Sequence, residues 1–261
     1  MIVSGILAEI LESKRREIEA LSSPGGRRRI GQMLGQAPEP RGFRAALETG
    51  VGFRIIAEIK KASPSRGVLV QDFDPARLAR EYASGGAAAL SVLTDAPYFQ
   101  GGLPDLTMAR DAVPLPVLRK DFILDESQVE ESRGWGADAV LLIASVLKVN
   151  LLGRLMRRVN ALGMEALVEV HDLQDLSRAL DAGAGIVGVN NRNLSSFQVS
   201  LGVSLELVGR IPPGILRVSE SGVASRSDLE LLSAAGYEAF LIGESLLVAG
   251  NRAARLREWI G

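Results

Sequence analysis

Several short apolar runs in this chain end in side chains that could move protons or hold an anion. They are Glu58 with Lys60, Thr94, Lys120 with Asp121, Glu169, Asn190 with Arg192, Glu220 with Ser221, and Gly243 with Glu244. A lysine tuned by burial and neighbours can serve as a general acid, and a carboxylate beside lysines as a general base. Lys120 and Glu169 are the candidates for these roles, with ion-paired structural residues as the alternative. Ser221-Gly222 and Gly243-Glu244-Ser245 have the composition of anion-binding turns. Glycine lets the backbone approach closely, and N–H groups at the start of a helical run favour negative charge. Two ordinary turns would look the same. The loop Lys60-Lys61-Ala62-Ser63-Pro64-Ser65-Arg66-Gly67 is long, basic and rich in hydroxyls. That composition suits a clamp over a substrate, with Ser63 as a further phosphate contact. Phe99 and Phe122 line an aromatic pocket or belong to the core. The single histidine, His171, reads as a loop or helix-cap residue just past Glu169.

These residues need a scaffold that brings eight chain segments to one place. The apolar runs at 54–59, 88–93, 116–119, 139–143, 166–170, 186–189, 216–219 and 239–242 are nearly continuous. Strands buried on both faces of a parallel sheet have this character. Amphipathic stretches between them read as helices, and alternating β and α implies right-handed parallel crossovers. Eight units fit an α/β fold of the (β/α)₈ TIM-barrel type, whose active site forms at the C-terminal ends of the strands. Burying so many ionisable groups at one mouth is costly unless they pair, so function explains them better than structure does. Glycines before the second, fourth, sixth and eighth strands, as in Gly85-Gly86 and Gly136, suggest a repeated two-unit module. An amphipathic helix through Ile6, Leu7, Ile10, Leu11, Ile18 and Leu21 precedes the barrel and ends at Pro24-Gly25-Gly26. Arg27-Arg28-Arg29 then reads as a solvated loop, and 42–48 as a short helix. No linker composition appears, so residues 1–261 form one barrel domain, with 1–50 as a helical extension packed on it.

Composition narrows the chemistry. A net charge of -1 gives no basic excess for a nucleic-acid partner. The chain lacks cysteine and has one histidine, which excludes disulfides, thiol catalysis and a His-rich metal site. No apolar run approaches the ~20 residues of a membrane span, and residues 1–10 do not have signal-peptide form. The expected location is the cytoplasm, the expected state a monomer, and the expected partner a small phosphorylated substrate.

The motifs in order add a resemblance. Ala57-Glu58-Ile59-Lys60-Lys61-Ala62-Ser63-Pro64-Ser65 resembles the first-strand signature of indole-3-glycerol phosphate synthases. Leu90-Ser91-Val92-Leu93-Thr94 with Tyr98-Phe99-Gln100-Gly101-Gly102 is similar to the second, and Leu118-Arg119-Lys120-Asp121-Phe122-Ile123 to the third. Val168-Glu169-Val170-His171 and Val189-Asn190-Asn191-Arg192-Asn193-Leu194 resemble the fifth and sixth. Ser219-Glu220-Ser221-Gly222-Val223 and Leu241-Ile242-Gly243-Glu244-Ser245-Leu246 resemble the last two. Seven motifs in order, covering essentially the whole chain, make the resemblance specific.

The resemblance implies conversion of 1-(2-carboxyphenylamino)-1-deoxyribulose 5-phosphate to indole-3-glycerol phosphate, CO₂ and water, in tryptophan biosynthesis. The ring carbon attacks the ribulose carbonyl, the carboxylate leaves, and dehydration completes the indole. Proton transfers dominate, and no metal or cofactor is implied. By resemblance, Lys120 is the general acid, Glu169 its acid/base partner, and Lys60 a contact of the substrate carboxylate. Glu58, Asn190 and Glu220 orient these groups, and Arg192 lies near the carboxylate end. Ser63, Ser221, Gly222, Gly243 and Glu244 hold the phosphate, while Phe99, Phe122 and Leu141 form the aromatic pocket. Two features depart from the pattern. Glu244 stands where relatives often carry a small polar residue, so its carboxylate should point away from a phosphate. The segment 25–40 follows no family pattern. Phosphoribosylanthranilate isomerase, another phosphate-binding barrel, typically uses an early cysteine that this chain lacks. A barrel without activity would have no reason to keep Glu58, Lys60, Lys120, Glu169 and Asn190.

Overall fold

The apolar runs form parallel strands because helices cover their outer faces and side chains from the other strands fill the centre. The computed structural model describes residues 5–193 and 196–261. Leu194, the last residue of the sixth motif, and residues 1–4 lie outside the described residues. The strands are β1 (Arg54–Ile59), β2 (Ala89–Leu93), β3 (Val117–Lys120), β4 (Ala139–Ile143), β5 (Glu165–Val170), β6 (Ile186–Asn190), β7 (Leu216–Glu220) and β8 (Ala239–Ile242). Each pairs in parallel with its neighbours, and β1 also pairs with β8, closing an eight-stranded (β/α)₈ barrel.

Strand side chains alternate between the two faces. Here Ile56, Leu118, Leu141, Leu167, Ile186, Val218 and Leu241 point into one interior cluster. Their neighbours Ile55, Ala57, Val117, Val140, Val168, Val187, Phe240 and Ile242 point outward to the helices. The helix α3 (Phe43–Glu48) plugs the N-terminal end of the barrel with fully buried Phe43 and Leu47. The opposite, C-terminal end is therefore the open one.

The extension differs from the sequence expectation. The helix α1 (Ile6–Ser22) ends as expected, but Pro24-Gly25-Gly26 starts a second helix, α2 (Pro24–Leu34), instead of a loop. Proline suits the first helical position, and the Ser23 hydroxyl accepts from the Gly26 N–H as an N-cap. Gly26 is buried where a methyl group would overlap the Ala20 and Leu21 carbonyls, so glycine permits the sharp turn between the helices. Arg27, Arg28 and Arg29 are solvated, but on a helix. The two-unit module is not supported either. Left-handed glycines also precede odd-numbered strands, at Gly52, Gly163 and Gly214, as the general need for a tight αβ turn predicts.

Two sets of polar contacts tie the extension to the barrel. Lys14 of α1 is 1 % exposed and lies 2.9 Å from both Asp95 Oδ2 and Asp121 Oδ1. Burial disfavours its ammonium, but the two carboxylates outweigh this and raise its pKa. Arg41, after α2, donates to the carbonyls of Arg110, Val113 and Leu115 at the other end of the barrel. Among the described residues, no helix is long and apolar enough to cross a membrane.

Candidate active site

Strand parity decides which strand-end residues reach the mouth. Inward positions run Ile56-x-Glu58-x-Lys60 on β1, Leu118-x-Lys120 on β3, Leu167-x-Glu169 on β5, Ile186-x-Gly188-x-Asn190 on β6, Val218-x-Glu220 on β7 and Leu241-x-Gly243 on β8. All of the predicted site residues line one cavity of about 750 Å³ at this end: Glu58, Lys60, Ser63, Phe99, Lys120, Phe122, Leu141, Glu169, Asn190, Arg192, Glu220, Ser221, Gly222, Gly243 and Glu244. The same parity turns the side chains of Arg119, Asp121 and Thr94 outward. There Thr94 donates to Asp121 at 2.6 Å and Arg119 pairs with Asp121 at 3.0 Å. Asp121 is thus a structural anchor for Lys14, with its carboxyl held down to about 2 because Arg119 and Lys14 overcome the opposing effect of burial.

The cavity floor carries the charge. Lys120 Nζ donates to Glu169 Oε2 at 2.7 Å and lies 3.2 Å from Glu220 Oε2. Burial works against the ammonium, but Glu169, Glu220 and Glu58 together raise its pKa, so it is a firmly held cation. Burial would raise Glu169, yet Lys120 and His171 reverse that and hold it at about 2, with Asn190 as a hydrogen-bonding neighbour. Glu220 goes the other way. It is 1 % exposed, and burial pushes it up; Lys120 only partly opposes this, and the Glu169 charge adds to the rise, to about 7. One lysine between two carboxylates therefore leaves one acid ionised and the other able to hold a proton near neutrality.

Two glycines make room for this arrangement. A methyl at Gly188 would overlap Oε1 of Glu220, and one at Gly243 would overlap Oε1 of Glu58. Glu58 in turn accepts from Lys60 Nζ at 2.5 Å, an i, i+2 pair on one strand face.

The two turns predicted to hold an anion lie side by side. Ser221 and Gly222 have φ of 63° and 89°. A non-glycine residue with positive φ is uncommon and marks a functional constraint worth explaining. Buried Asn191 holds this turn by donating to the Glu220 and Ser221 carbonyls at 3.1 and 3.0 Å. Ser245 Oγ donates to the Val223 carbonyl at 2.8 Å and ties the β7 and β8 loops together. The clamp loop folds back as a hairpin, Ala62–Ser63 with Gly67–Val68. Its Arg66 reaches across the mouth to Glu244 at 2.8 Å, and Arg192 lies 3.7 Å from the other oxygen. Glu244, the carboxylate expected to point away from a phosphate, is thus paired with two arginines at the rim. Phe99 and Phe122 sit 6.4 Å apart, centroid to centroid, across the cavity wall from the charged floor.

Sequence reasoning missed three contributors. Ile6, Leu7 and Ile10 of α1 line the cavity, so the extension is a wall of the site. Arg66 closes the rim. His171 places its ring against Glu169, with Nε2 at 3.3 Å from Oε1. The i, i+2 spacing to Glu169 carried that last signal, because strand parity continues one residue past β5.

Comparison with known proteins adds a family. A family model described as indole-3-glycerol phosphate synthase matches residues 7–259. The chain is 50 % identical over 241 residues to the indole-3-glycerol phosphate synthase of Pelodictyon phaeoclathratiforme, covering 92 % of this chain and 94 % of that one. It is 47 % identical over 261 residues to the enzyme of the same name from Koribacter versatilis, covering 99 % and 100 %. Among solved structures, a 3-hexulose-6-phosphate synthase superposes with a TM-score of 0.62 at 18 % identity, covering 79 % of this chain and 98 % of that one, a likeness of fold alone.

Proposed function

The chain belongs to the indole-3-glycerol phosphate synthase family, enzymes of tryptophan biosynthesis, and from that premise we propose how its residues divide the chemistry. The observation that carries the reading is the Lys120 ammonium held between Glu169 and Glu220 at the floor of a cavity walled by aromatic side chains. The substrate is 1-(2-carboxyphenylamino)-1-deoxyribulose 5-phosphate. Its aromatic ring lies against Phe99, Phe122 and Leu141. Its phosphate lies at the Ser221-Gly222 and Gly243-Glu244 turns, with Ser63 from the clamp loop.

The ring carbon bearing the carboxylate attacks the ribulose carbonyl, and the new C–C bond forms as Lys120 gives its proton to the carbonyl oxygen. The carboxylate then leaves as CO₂, and its bonding electrons restore the aromatic ring. Loss of the hydroxyl as water, with loss of a proton from the adjacent carbon, yields the indole. Glu169 is the group that exchanges protons with Lys120 and the substrate in these steps, because it is the carboxylate hydrogen-bonded to the ammonium. Glu58 positions Lys60, the cation for the substrate carboxylate, with Arg192 near the same end. Asn190 and Glu220 orient Glu169, Lys120 and the substrate hydroxyls. The low-dielectric floor strengthens each of these interactions in the transition state.

The same reading takes residues 1–261 as one barrel unit that acts as a monomer in the cytoplasm; size-exclusion chromatography with light scattering tests the monomer. Turnover of the synthetic substrate, followed by the fluorescence of the indole product, tests the activity. A purified, folded protein with no turnover overturns it.

A further inference from the structure

His171 takes no part in the steps above, yet it completes an alternating row of charges. Glu169 is held on two sides. Oε2 accepts from Lys120, and Oε1 faces His171 Nε2 at 3.3 Å. On the far side of the ring, Nδ1 lies 3.4 Å from Asp175 Oδ2. Asp175 is 1 % exposed and is itself fixed. It accepts from the His171 backbone N–H at 3.1 Å, and its other oxygen lies 3.2 Å from Arg178. Arg178 also donates to the Ala144 carbonyl beyond β4. The groups facing the imidazole are thus Glu169 on its own strand, Asp175 on the helix Leu173–Asp181 and Glu220 on β7, with Lys120 and Arg178 as the outer cations. Burial disfavours an imidazolium here, but Asp175, Glu169 and Glu220 outweigh that and raise the His171 pKa above its ordinary value.

We propose that His171 is a positioning residue for the catalytic carboxylate. Wedged between Asp175 and Glu169, it holds Glu169 ionised and aimed at Lys120 from the side opposite the ammonium. The inference rests on the acid/base role assigned to Glu169 above. It follows from the charge history of the reaction. When Lys120 gives its proton to the carbonyl oxygen, it becomes neutral, and Glu169 loses the cation on Oε2. His171 is then the cation that remains on Oε1. When Glu169 later carries a proton, the imidazolium beside it favours passing that proton on.

The test is the pH profile of kcat in His171→Gln, which keeps a polar side chain of related length and removes the titrating charge. Loss of the cation raises the pKa of Glu169, so the limb of the profile that reports its ionisation moves to higher pH by about 1 unit, the lower end of the effect of one close charge. kcat falls about 10-fold, less than the 10²–10⁴ that a general acid or base supplies itself, and KM stays within about twofold because His171 does not itself line the cavity. Added imidazole partly restores His171→Ala and leaves Glu169→Gln unchanged. If the glutamine variant does not fold, Asp175→Asn carries the same test, because it releases the ring and moves the same limb in the same direction. A folded His171→Gln protein with the wild-type limb, or one whose activity loss only tracks its melting temperature, overturns the proposal. Wild-type protein that turns over normally beside such a variant removes this inference alone, whereas inactive wild type removes the reading beneath it as well.

Discussion

Replacing Lys120 by Met removes a proton and a charge while keeping most of the apolar stem, so it separates catalysis from packing. In the transition state the carbonyl oxygen gains negative charge where the ammonium sits, an interaction that raises kcat and leaves ground-state binding largely alone. A general acid contributes roughly 10²–10⁴-fold, about 2.7–5.4 kcal/mol of barrier. One part of the stability cost, protonation of a stranded carboxylate, can be bounded. Without the lysine, Glu169 and Glu220 face each other with His171 as the remaining cation described beside Glu169. A buried carboxylate that cannot pair takes a proton instead. At pH 7 that costs at most about 4 kcal/mol, since each unit above the ordinary glutamate value near 4.3 costs about 1.4 kcal/mol. Glu220, already raised to about 7, takes that proton with little penalty, so the cost falls well inside this bound.

The pH dependence has a definite sign. In the wild type the depressed Glu169 pKa contributes stability above its unfolded value, and that contribution is lost as pH falls toward about 2. In Lys120→Met a raised carboxylate destabilises at pH 7 and is relieved as pH falls to about 4. The gap in melting temperature between variant and wild type therefore narrows from pH 7 to pH 5. Single-turnover rate, product fluorescence and Tm on the same samples check all of this. A folded Lys120→Met protein with near-normal turnover would refute the reasoning and leave Lys60 as the acid. An activity loss that only matches the unfolded fraction would do the same.

Other expectations concern separate parts of the site. Glu169→Gln keeps the shape and removes basicity, so kcat falls roughly 10²-fold or more with little change in KM; an unchanged kcat ends the assignment. Inorganic phosphate inhibits competitively with substrate, and Gly222→Ala weakens that inhibition, because at φ 89° a methyl is strained and meets Val199; purely non-competitive inhibition places the anion elsewhere. Lys14→Met leaves Asp95 and Asp121 buried without their shared cation, a loss of about 3–5 kcal/mol when one partner of a buried pair is removed. Both Tm and substrate affinity fall, since α1 supplies Ile6, Leu7 and Ile10 to the cavity; a variant with normal KM and lower Tm would show that the helix is only structural.

The local signals were enough for the barrel and for most of its mouth. Apolar runs of strand length recur with helical stretches between them, and both patterns follow from short-range periodicity. Strand parity, also local, separates inward Lys120 from outward Arg119 and Asp121 once Leu118 is known to face the centre. Where local signals are ambiguous, they failed. Pro24-Gly25-Gly26 carries the residues of both a helix stop and a helix start, and the choice fell to the Ser23 cap and the close approach of Gly26 to α1. Glu244 as read from sequence is a lone carboxylate beside an anion site, and Arg66 and Arg192, both distant in the chain, pair with it there. Lys14 looks like any solvated helix lysine until Asp95 and Asp121 close over it. The protonation states on the floor belong to the fold as well. Glu169 and Glu220 are the same residue type at equivalent strand ends, yet one is held at about 2 and the other rises to about 7. Charge interactions act through space across the barrel, so the identity of each strand-end residue came from its own neighbours in sequence, and its charge came from strands that only closure brings together.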